Sequence, residues 1–405
     1  MKRKIVALLL LIFVSSSLLF GAIGIYETER SHSFAPFALM SPRVVGMGGT
    51  GLALTGTMES RLMNPANSPE SFGLSLPYAS VTLYNIKNNK DNLMEIATEN
   101  QRLSVYDMAF SLLNSIPSGE RNFLSIDLGA GLSLKNLSFF TFVNADIFTF
   151  GEGDLSSTIG VDVDSGFNVA LSYEYDWEND YSLAVGLGLS GLYKNITAGS
   201  DKLSGIGVDF VSNVFEEWQD DTENIMDALM NALMGIPQSL GEAYPLSIGV
   251  RADFPYGFSL ALGLNNINGN YRMKVLDSSE TYTIKVPSTL DFGFGWTLDA
   301  GKLWYHLLQP TVAIDIVDII GMFHDGIFNK GIFVDHLKMG AELNLLTVLS
   351  ARCGLDCGYF TFGIGADIYA LNVDLSYGVR PYGPSREGRY LDYVKLRINL
   401  GYDRP

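Results

Sequence analysis

The chain has 405 residues, a formal net charge of −17 and a mean hydropathy of +0.17. Such an acidic composition argues against nucleic acid as a partner, because contacts to phosphate need lysine and arginine. A chain of this length usually forms two or more soluble domains, so a single large unit requires an architecture such as a large barrel.

The first 22 residues have the pattern of a secretory signal peptide. Lys2, Arg3 and Lys4 form a basic start, an apolar stretch follows, and residues 20–22 (FGA) offer a processing site. The alternative is an uncleaved membrane helix, because the apolar run approaches the length that spans a bilayer. We predict a cleaved signal peptide over residues 1–22.

Residues 41–71 differ in composition from the rest of the chain and contain four closely spaced glycines: Gly46, Gly48, Gly49 and Gly51. The spacing formally matches a dinucleotide-binding pattern, but no strand–helix–strand unit surrounds it. We therefore expect the glycines to allow tight turns and close packing against a wall. Asn64, Pro65 and Ala66 follow, and proline fixes a turn there by locking its own φ and restricting the preceding residue.

From residue 72 onward, apolar and polar residues alternate in many segments. Phe360, Phe362 and Ile364, for example, interleave with Thr361 and Gly363. A period of two places one set of side chains on each face of a strand. We predict an all-β fold, a transmembrane antiparallel β-barrel of about 14 strands over residues 72–405, with lipid outside and a polar lumen.

The connections between these segments alternate in length. Short junctions are predicted at Lys135-Asn136, Glu178-Asn179, Pro255-Tyr256 and Tyr369, with long stretches between them. This alternation is typical of outer-membrane barrels, which have short turns at one end and long loops at the other. The predicted short hairpin near residue 355 is the exception, because it lies at the loop end.

The longest loop contains a helix-like insert at about 207–236. Its apolar positions recur at helical spacing and include Trp218, Met226, Leu229, Met230 and Leu233. Methionine adapts to ligands of variable shape, so these residues are candidates for a ligand entrance. The alternative is that the stripe only packs the helix onto the barrel mouth. A second helical stretch is predicted at 93–113.

The two cysteines, Cys353 and Cys357, flank three residues that could form a hairpin turn. In that arrangement they would face each other across two strands and could form a disulfide in an oxidising compartment. Free thiols and half of a metal site are the alternatives. Two ligands are too few for a metal, and no histidine lies nearby in sequence.

The sequence contains no pattern that indicates an enzyme. The four histidines are scattered without metal-ligand spacing, and no nucleophile-elbow motif occurs. We therefore predict no catalytic residues, no metal and no cofactor.

The stretch 43–53 (RVVGMGGTGLA), followed by Asn64-Pro65-Ala66, resembles the plug, or hatch, of the long-chain fatty acid transporter family of outer-membrane proteins. The layout of the whole mature chain resembles a spirochaete-type branch of that superfamily. The resemblance implies a hatch over residues 23–71, helical extracellular loops, and Asn64 and Pro65 as residues that hold the hatch in place.

The resemblance also implies the partners. A hydrophobic, fatty acid-like molecule would be taken up from outside through a barrel embedded in the lipid of the cell outer membrane. The same superfamily includes secretion-associated barrels, so the alternative is a surface-anchoring barrel whose extracellular loops bind a protein partner.

Overall fold

The structure is a computed structural model, and it describes residues 41–55, 58–67, 73–84, 86, 121–150, 158–177, 181–197, 206–207, 238–276, 278–298, 308–325, 330–346, 348–368, 370–381 and 390–402. The predicted signal peptide, the stretch 93–113 and residues 208–236 of the predicted insert lie outside these residues.

Fourteen strands of the described residues form a closed antiparallel ring, which we call the wall. The ring closes because its first strand pairs with both the second strand and the last. This confirms the predicted barrel and its strand number. The wall strands are β1 (Gly73–Tyr84), β2 (Arg121–Leu134), β3 (Leu137–Phe150), β4 (Thr158–Trp177), β5 (Tyr181–Ile196), β8 (Leu246–Phe254), β9 (Phe258–Ile267), β12 (Thr289–Thr297), β13 (Leu308–Ile316), β14 (Leu337–Leu345), β15 (Leu349–Asp356), β16 (Tyr359–Ile368), β17 (Leu371–Pro381) and β18 (Tyr390–Tyr402).

The wall has a turn end and a loop end. Short connections join β2 to β3 at Lys135–Asn136, β8 to β9 at Pro255–Gly257, and β16 to β17 at residues 369–370. At the opposite end, β1 ends at Tyr84 and β2 begins at Arg121, so a long stretch of sequence separates these two neighbouring strands. The three short junctions are confirmed, whereas the predicted junction at Glu178-Asn179 lies outside the described residues.

Four shorter strands continue the wall at the loop end, and we call them the extension: β6 (Ile206–Gly207), β7 (Ser239–Ala243), β10 (Tyr271–Val275) and β11 (Thr281–Ile284). β7 pairs with the upper part of β5, β10 pairs with β7, and β11 pairs with β10. The sequence interpretation assigned these residues to loops, because strands of four or five residues carry too few alternating positions to stand out.

The described helices are short. α1 (Pro42–Gly46) and α2 (Met58–Met63) precede the wall, α3 (Ile319–Asp325) and α4 (Lys330–His336) join β13 to β14, and a 3₁₀ turn spans Pro255–Gly257. No helix among the described residues is long and apolar enough to cross a membrane.

The outer face of the wall is apolar, and we call it the belt. On β5, Val185, Leu187 and Leu189 are 46%, 50% and 45% exposed, whereas Gly188 and Ser190 between and beyond them are buried. β16 repeats the pattern with exposed Phe360, Phe362 and Ile364. A closed barrel with apolar residues outside and polar residues inside is typical of proteins that cross membranes with strands.

The predicted disulfide between Cys353 and Cys357 is wrong, because both thiols are free. β15 continues past the expected turn to Asp356, and Cys353 pairs with Phe362. Four residues of extended strand separate the cysteine Cα atoms by about 13 Å, twice the separation that a disulfide bridges. The turn instead uses Cys357 and Gly358, whose φ angles of 52° and 89° suit a tight two-residue hairpin.

Candidate functional site

The chain before the wall passes through the inside of the barrel, and we call residues 41–67 the lumen segment. Thr361 donates a hydrogen bond to the carbonyl of Gly46 at 3.2 Å, and Ser259 donates one to the carbonyl of Ala53 at 2.8 Å. Thr361 and Ser259 are buried, on the face of β16 and β9 opposite the belt. The segment therefore contacts strands on different sides of the lumen.

Glycines of the wall form the surface on which the lumen segment rests. A β-carbon added at Gly186 would overlap the carbonyl of Pro65, and one at Gly249 would overlap the side chain of Asn64. At Gly188, by contrast, an added β-carbon would make ordinary contacts of 3.5 Å or more. Further wall glycines touch the segment in the same way: Gly293, Gly295, Gly340, Gly354 and Gly363. We call these five residues, together with Gly186 and Gly249, the glycine seat.

Asn64 is fully buried and joins the lumen segment to the wall. Its side-chain amide donates to the carbonyls of Leu52 at 3.2 Å and of Val250, on β8, at 3.4 Å. Its side-chain oxygen accepts from the backbone N–H of Ala66 at 3.0 Å, which fixes the turn at the proline. Asn67 adds a hydrogen bond to the same Leu52 carbonyl at 3.0 Å.

An aspartate of the wall holds the glycine-rich part of the segment. Asp315, on β13, accepts hydrogen bonds from the backbone N–H groups of Gly51 at 2.8 Å and Leu52 at 3.1 Å. Its other carboxylate oxygen has no hydrogen-bond partner in the described residues. A buried carboxylate that accepts backbone N–H groups is a charge-assisted contact, stronger than a neutral hydrogen bond.

A buried ion network attaches the start of the lumen segment to the wall. Arg43 binds Glu342 through two hydrogen bonds of 2.7 Å, and Arg352 donates a third to the same carboxylate at 2.6 Å. Arg352 also pairs with Asp374 on β17. The Glu342 side chain is only 1% exposed, so losing its partners would leave an uncompensated buried charge.

The inner face near β1, β2 and β18 is polar. Asp127 accepts hydrogen bonds from Lys395 at 2.7 Å and from Ser80 at 2.6 Å, and all three residues are buried. Such pairs between wall strands need no contact with the lumen segment.

One strip of the lumen is apolar, in contrast to this polar surface. The rings of Tyr78 and Phe140 stack 6.0 Å apart, and Phe142 stacks on Phe140 at 6.4 Å. Leu62, on α2 of the lumen segment, packs against the strip. Its buried members, which we call the apolar track, are Tyr78, Phe140, Phe142, Leu192, Ile196, Ala243, Tyr271, Met273 and Val286.

The apolar track leads from the wall to the extension. Phe142 and Leu192 both approach Gly166 on β4, while Tyr271 and Met273 belong to β10 beyond the ring. Burial, together with the nearby Asp164 carboxylate, raises the pKa of the Tyr271 phenol, which keeps it neutral. The track thus joins the loop end to the lumen segment, and two cations border it: Arg397 lies 4.0 Å from the centroid of the Tyr78 ring and Lys194 lies 5.9 Å from that of Tyr271.

The lumen segment packs closely on itself. The cavity lined by Arg43, Met47 and Leu54 has a volume of about 10 Å³, room for about one water molecule. Gly48 and Gly49 have φ angles of 69° and 77°, a conformation that glycine adopts without strain.

The structure brings together most of the residues that the sequence singled out. Gly46, Gly48, Gly51, Asn64 and Ala66 all contact inner-face residues or the rest of the lumen segment. Their role in holding a hatch stays a prediction. The candidate entrance residues Trp218, Met226, Leu229, Met230 and Leu233 lie outside the described residues.

Other functional candidates were missed from the sequence. Arg43 and Glu342 are 299 residues apart, and no local pattern links them. One part of the track could have been predicted from the sequence. Phe139 and Phe140 are adjacent in a predicted strand, so one of the two side chains must face inward. In the described part of the chain, no group of three or more His, Cys, Asp or Glu residues could hold a metal ion.

No protein-family model matches the chain, and neither does any curated protein. Among solved structures, the P. putida toluene transporter TodX is similar with a TM-score of 0.42 at 9% identity, over 90% of this chain and 98% of that chain. The Ralstonia pickettii toluene transporter TbuX gives 0.43 at 11% identity over the same shares, and a Pseudomonas aeruginosa FadL homologue gives 0.41 at 10%, also over 90% and 98%. Likenesses this weak carry no argument about function.

Proposed function

We propose that this protein is an outer-membrane transporter that takes up a hydrophobic molecule, with long-chain fatty acids as the ligand class and the lumen segment as its plug. The belt supports the membrane placement, because an apolar outer face of this extent needs lipid around it. With the loop end outward, the first residue of the wall, Gly73, and its last residue, Tyr402, both lie on the periplasmic side.

The observation that carries the proposal is the apolar track. A water-filled pore for polar solutes gains nothing from nine buried apolar residues that run from the extension into the lumen. An acyl chain could follow these side chains, and transfer of each CH₂ group from water contributes about 0.8 kcal/mol. The track meets the plug at Leu62, so a ligand moving along it would reach the plug directly.

The contacts of the lumen segment support its role as a plug. It contacts wall strands from β5 to β16 at the glycine seat, its Asn64 donates a hydrogen bond to β8, and the wall residues Asp315 and Glu342 bind it. Ligand passage then requires the segment to shift within the barrel.

The proposal is tested by ligand binding to purified protein in detergent. Alanine at Phe140 and Phe142 removes two rings from the track, and we expect fatty acids of 12–18 carbons to bind at least about tenfold more weakly. Phe139→Ala is the matched control, because Phe139 lies on the same strand and is 45% exposed on the belt.

Two results would contradict the proposal. Equal binding by the track variant and the control would remove the track from the ligand path, and no binding of any lipid by the wild type would remove the function. Cross-linking on intact cells that recovers a stoichiometric protein, with no lipid bound, would favour the anchoring alternative.

A further inference from the structure

The outward face of the extension carries a cluster of cations in a chain that is strongly acidic overall. Tyr271 and Met273 of β10 point inward to the apolar track, so the residues between and beyond them point outward. Arg272, Lys274 and, just after β11, Lys285 are all exposed there.

The strand register brings these cations close together. Arg272 and Lys274 lie two residues apart on one face of β10, which separates their Cα atoms by about 7 Å. Lys285 follows Ile284, the partner of Tyr271, and so lies diagonally across from Arg272 at about 7–8 Å. Long, flexible side chains at these spacings can converge on one anionic group.

The same face continues the belt without a break. One cross-strand row runs from Tyr193 through Glu242 and Arg272 to Thr283. Tyr193 lies directly above Val185, Leu187 and Leu189 on the outer face of β5: Leu189, Gly191 and Tyr193 follow one another at every second position. The cations therefore stand level with a tyrosine at the upper boundary of the belt.

This position matches the headgroup region of the outer leaflet. Tyrosine is enriched where hydrocarbon meets the polar headgroups, and lysine and arginine near that level attract anionic lipids. Tyr244 is 45% exposed beside Tyr193, and Leu240 and Leu276 add exposed apolar surface among the cations.

Two carboxylates lie near these cations in the part of the chain that the structure describes. Glu242 accepts a hydrogen bond from the Tyr244 hydroxyl at 3.0 Å, and Glu280 lies at the tip between β10 and β11. Among the described residues, three cations lie with two carboxylates, and the cations are concentrated on the side of β10 and Lys285.

We propose that Arg272, Lys274 and Lys285 form a docking surface for the phosphate groups of outer-leaflet lipids. The inference rests on the membrane placement given under the proposed function, with the loop end outward. Arginine binds phosphate through two parallel hydrogen bonds, and the lysines add compact charges beside it. Bound lipid would fix the extension, and with it the upper part of the apolar track, relative to the membrane surface.

The test measures lipid selectivity of the full mature protein in a neutral detergent. The probes are lipid A with two phosphates and the same lipid after removal of both phosphates, each titrated and detected by native mass spectrometry. We expect the wild type to prefer the phosphorylated lipid by at least about tenfold, and high salt to reduce the preference.

The variant R272Q/K274Q/K285Q should lose the preference, whereas Lys135→Gln should keep it. Lys135 is an exposed lysine in the turn between β2 and β3, at the opposite end of the barrel. Heat-modifiable electrophoretic mobility confirms that each variant has folded. Glu242→Gln should preserve or increase the preference, because it removes a negative charge from the face.

Three outcomes would overturn the inference: no preference in the wild type, an unchanged preference in the triple variant, or displacement of the lipid by inorganic phosphate at equal concentration, which would indicate a bare anion site. Fatty acid binding by the same preparations separates this result from the transport proposal. The triple variant should bind fatty acid normally, since none of its three positions lies on the apolar track.

Discussion

Two glycines on one strand make different contacts with the lumen segment, the proposed plug. Gly186 and Gly188 lie two residues apart on the inner face of β5, yet an added β-carbon would collide with Pro65 only at Gly186. We expect Gly186→Ala to weaken the seating of the plug by about 1–3 kcal/mol, the usual cost of overpacking, and to raise the conductance of the protein in planar bilayers.

Gly188→Ala is the matched control, since its β-carbon would have ordinary contacts. It should leave the conductance close to the wild-type value. A similar rise for both variants would show that strand flexibility, rather than contact with Pro65, controls the plug.

The Asn64 side chain has a donor group and an acceptor group, and their contributions can be tested separately. Asn64→Asp keeps an oxygen for the Ala66 N–H but loses the donors to Leu52 and Val250, leaving a carboxylate against two buried carbonyls. We expect a loss of about 1–3 kcal/mol in plug seating, measured as faster proteolysis of the lumen segment in the folded barrel. Unchanged proteolysis would show that the hydrogen bond to Val250 does not hold the plug.

Some of these residues could be predicted from the sequence and others could not. Asn64 and Pro65 stood out because their turn-forming chemistry is local. The partners of Arg43 and of the Gly51 N–H could not, because they come from β14 and β13, whose register the local sequence does not encode.

At the level of elements, the ion network connects α1 to three wall strands. Arg43→Gln removes the charge that binds Glu342 from α1, while Glu342 keeps its bond to Arg352. We expect a loss of about 1.5–3 kcal/mol in plug seating, the contribution of a hydrogen bond to a charged group, and a higher bilayer conductance.

The control is the pair variant D127N/K395Q, which removes an ion pair between the wall strands β2 and β18. It should change the thermal stability of the barrel and leave the conductance low. An equal rise in conductance for both variants would show that loss of charge in the lumen is enough to open the pore, and that the link between Glu342 and α1 is not required.

The wall strands could be predicted because belt residues repeat every second position, whatever the lumen side requires. β4 is the longest wall strand and spans Thr158–Trp177. In its first half, apolar Ile159, Val161 and Val163 alternate with the polar inner residues Asp162 and Asp164, so the sequence carries the period of two here as well. The predicted cysteine hairpin was wrong because the length of β15, and not the spacing of the cysteines, determines where the turn lies.

For the whole molecule, the alternation of turns and loops predicted a closed cylinder, whereas the path of the plug inside it could not be predicted. Closure follows from pairing neighbours along the chain, but the plug's path depends on contacts between residues hundreds of positions apart.

The belt predicts the solution behaviour of the intact protein. We expect a monodisperse particle in detergent and aggregation when the detergent is removed, because the exposed belt must be covered. Light scattering during detergent dilution measures this. A monodisperse particle in plain buffer would contradict both the membrane placement and the proposed transport.

The glycine seat also determines the shape of the route that opens when the plug moves. Backbone alone would border that route at the seat positions, since glycine presents no side chain to swing across it. The clearance there would then depend on the geometry of the fourteen-stranded cylinder and not on rotamer changes. A bulky, rigid ligand would therefore pass a section of constant diameter at these positions, and selection by ligand size would occur elsewhere on its path.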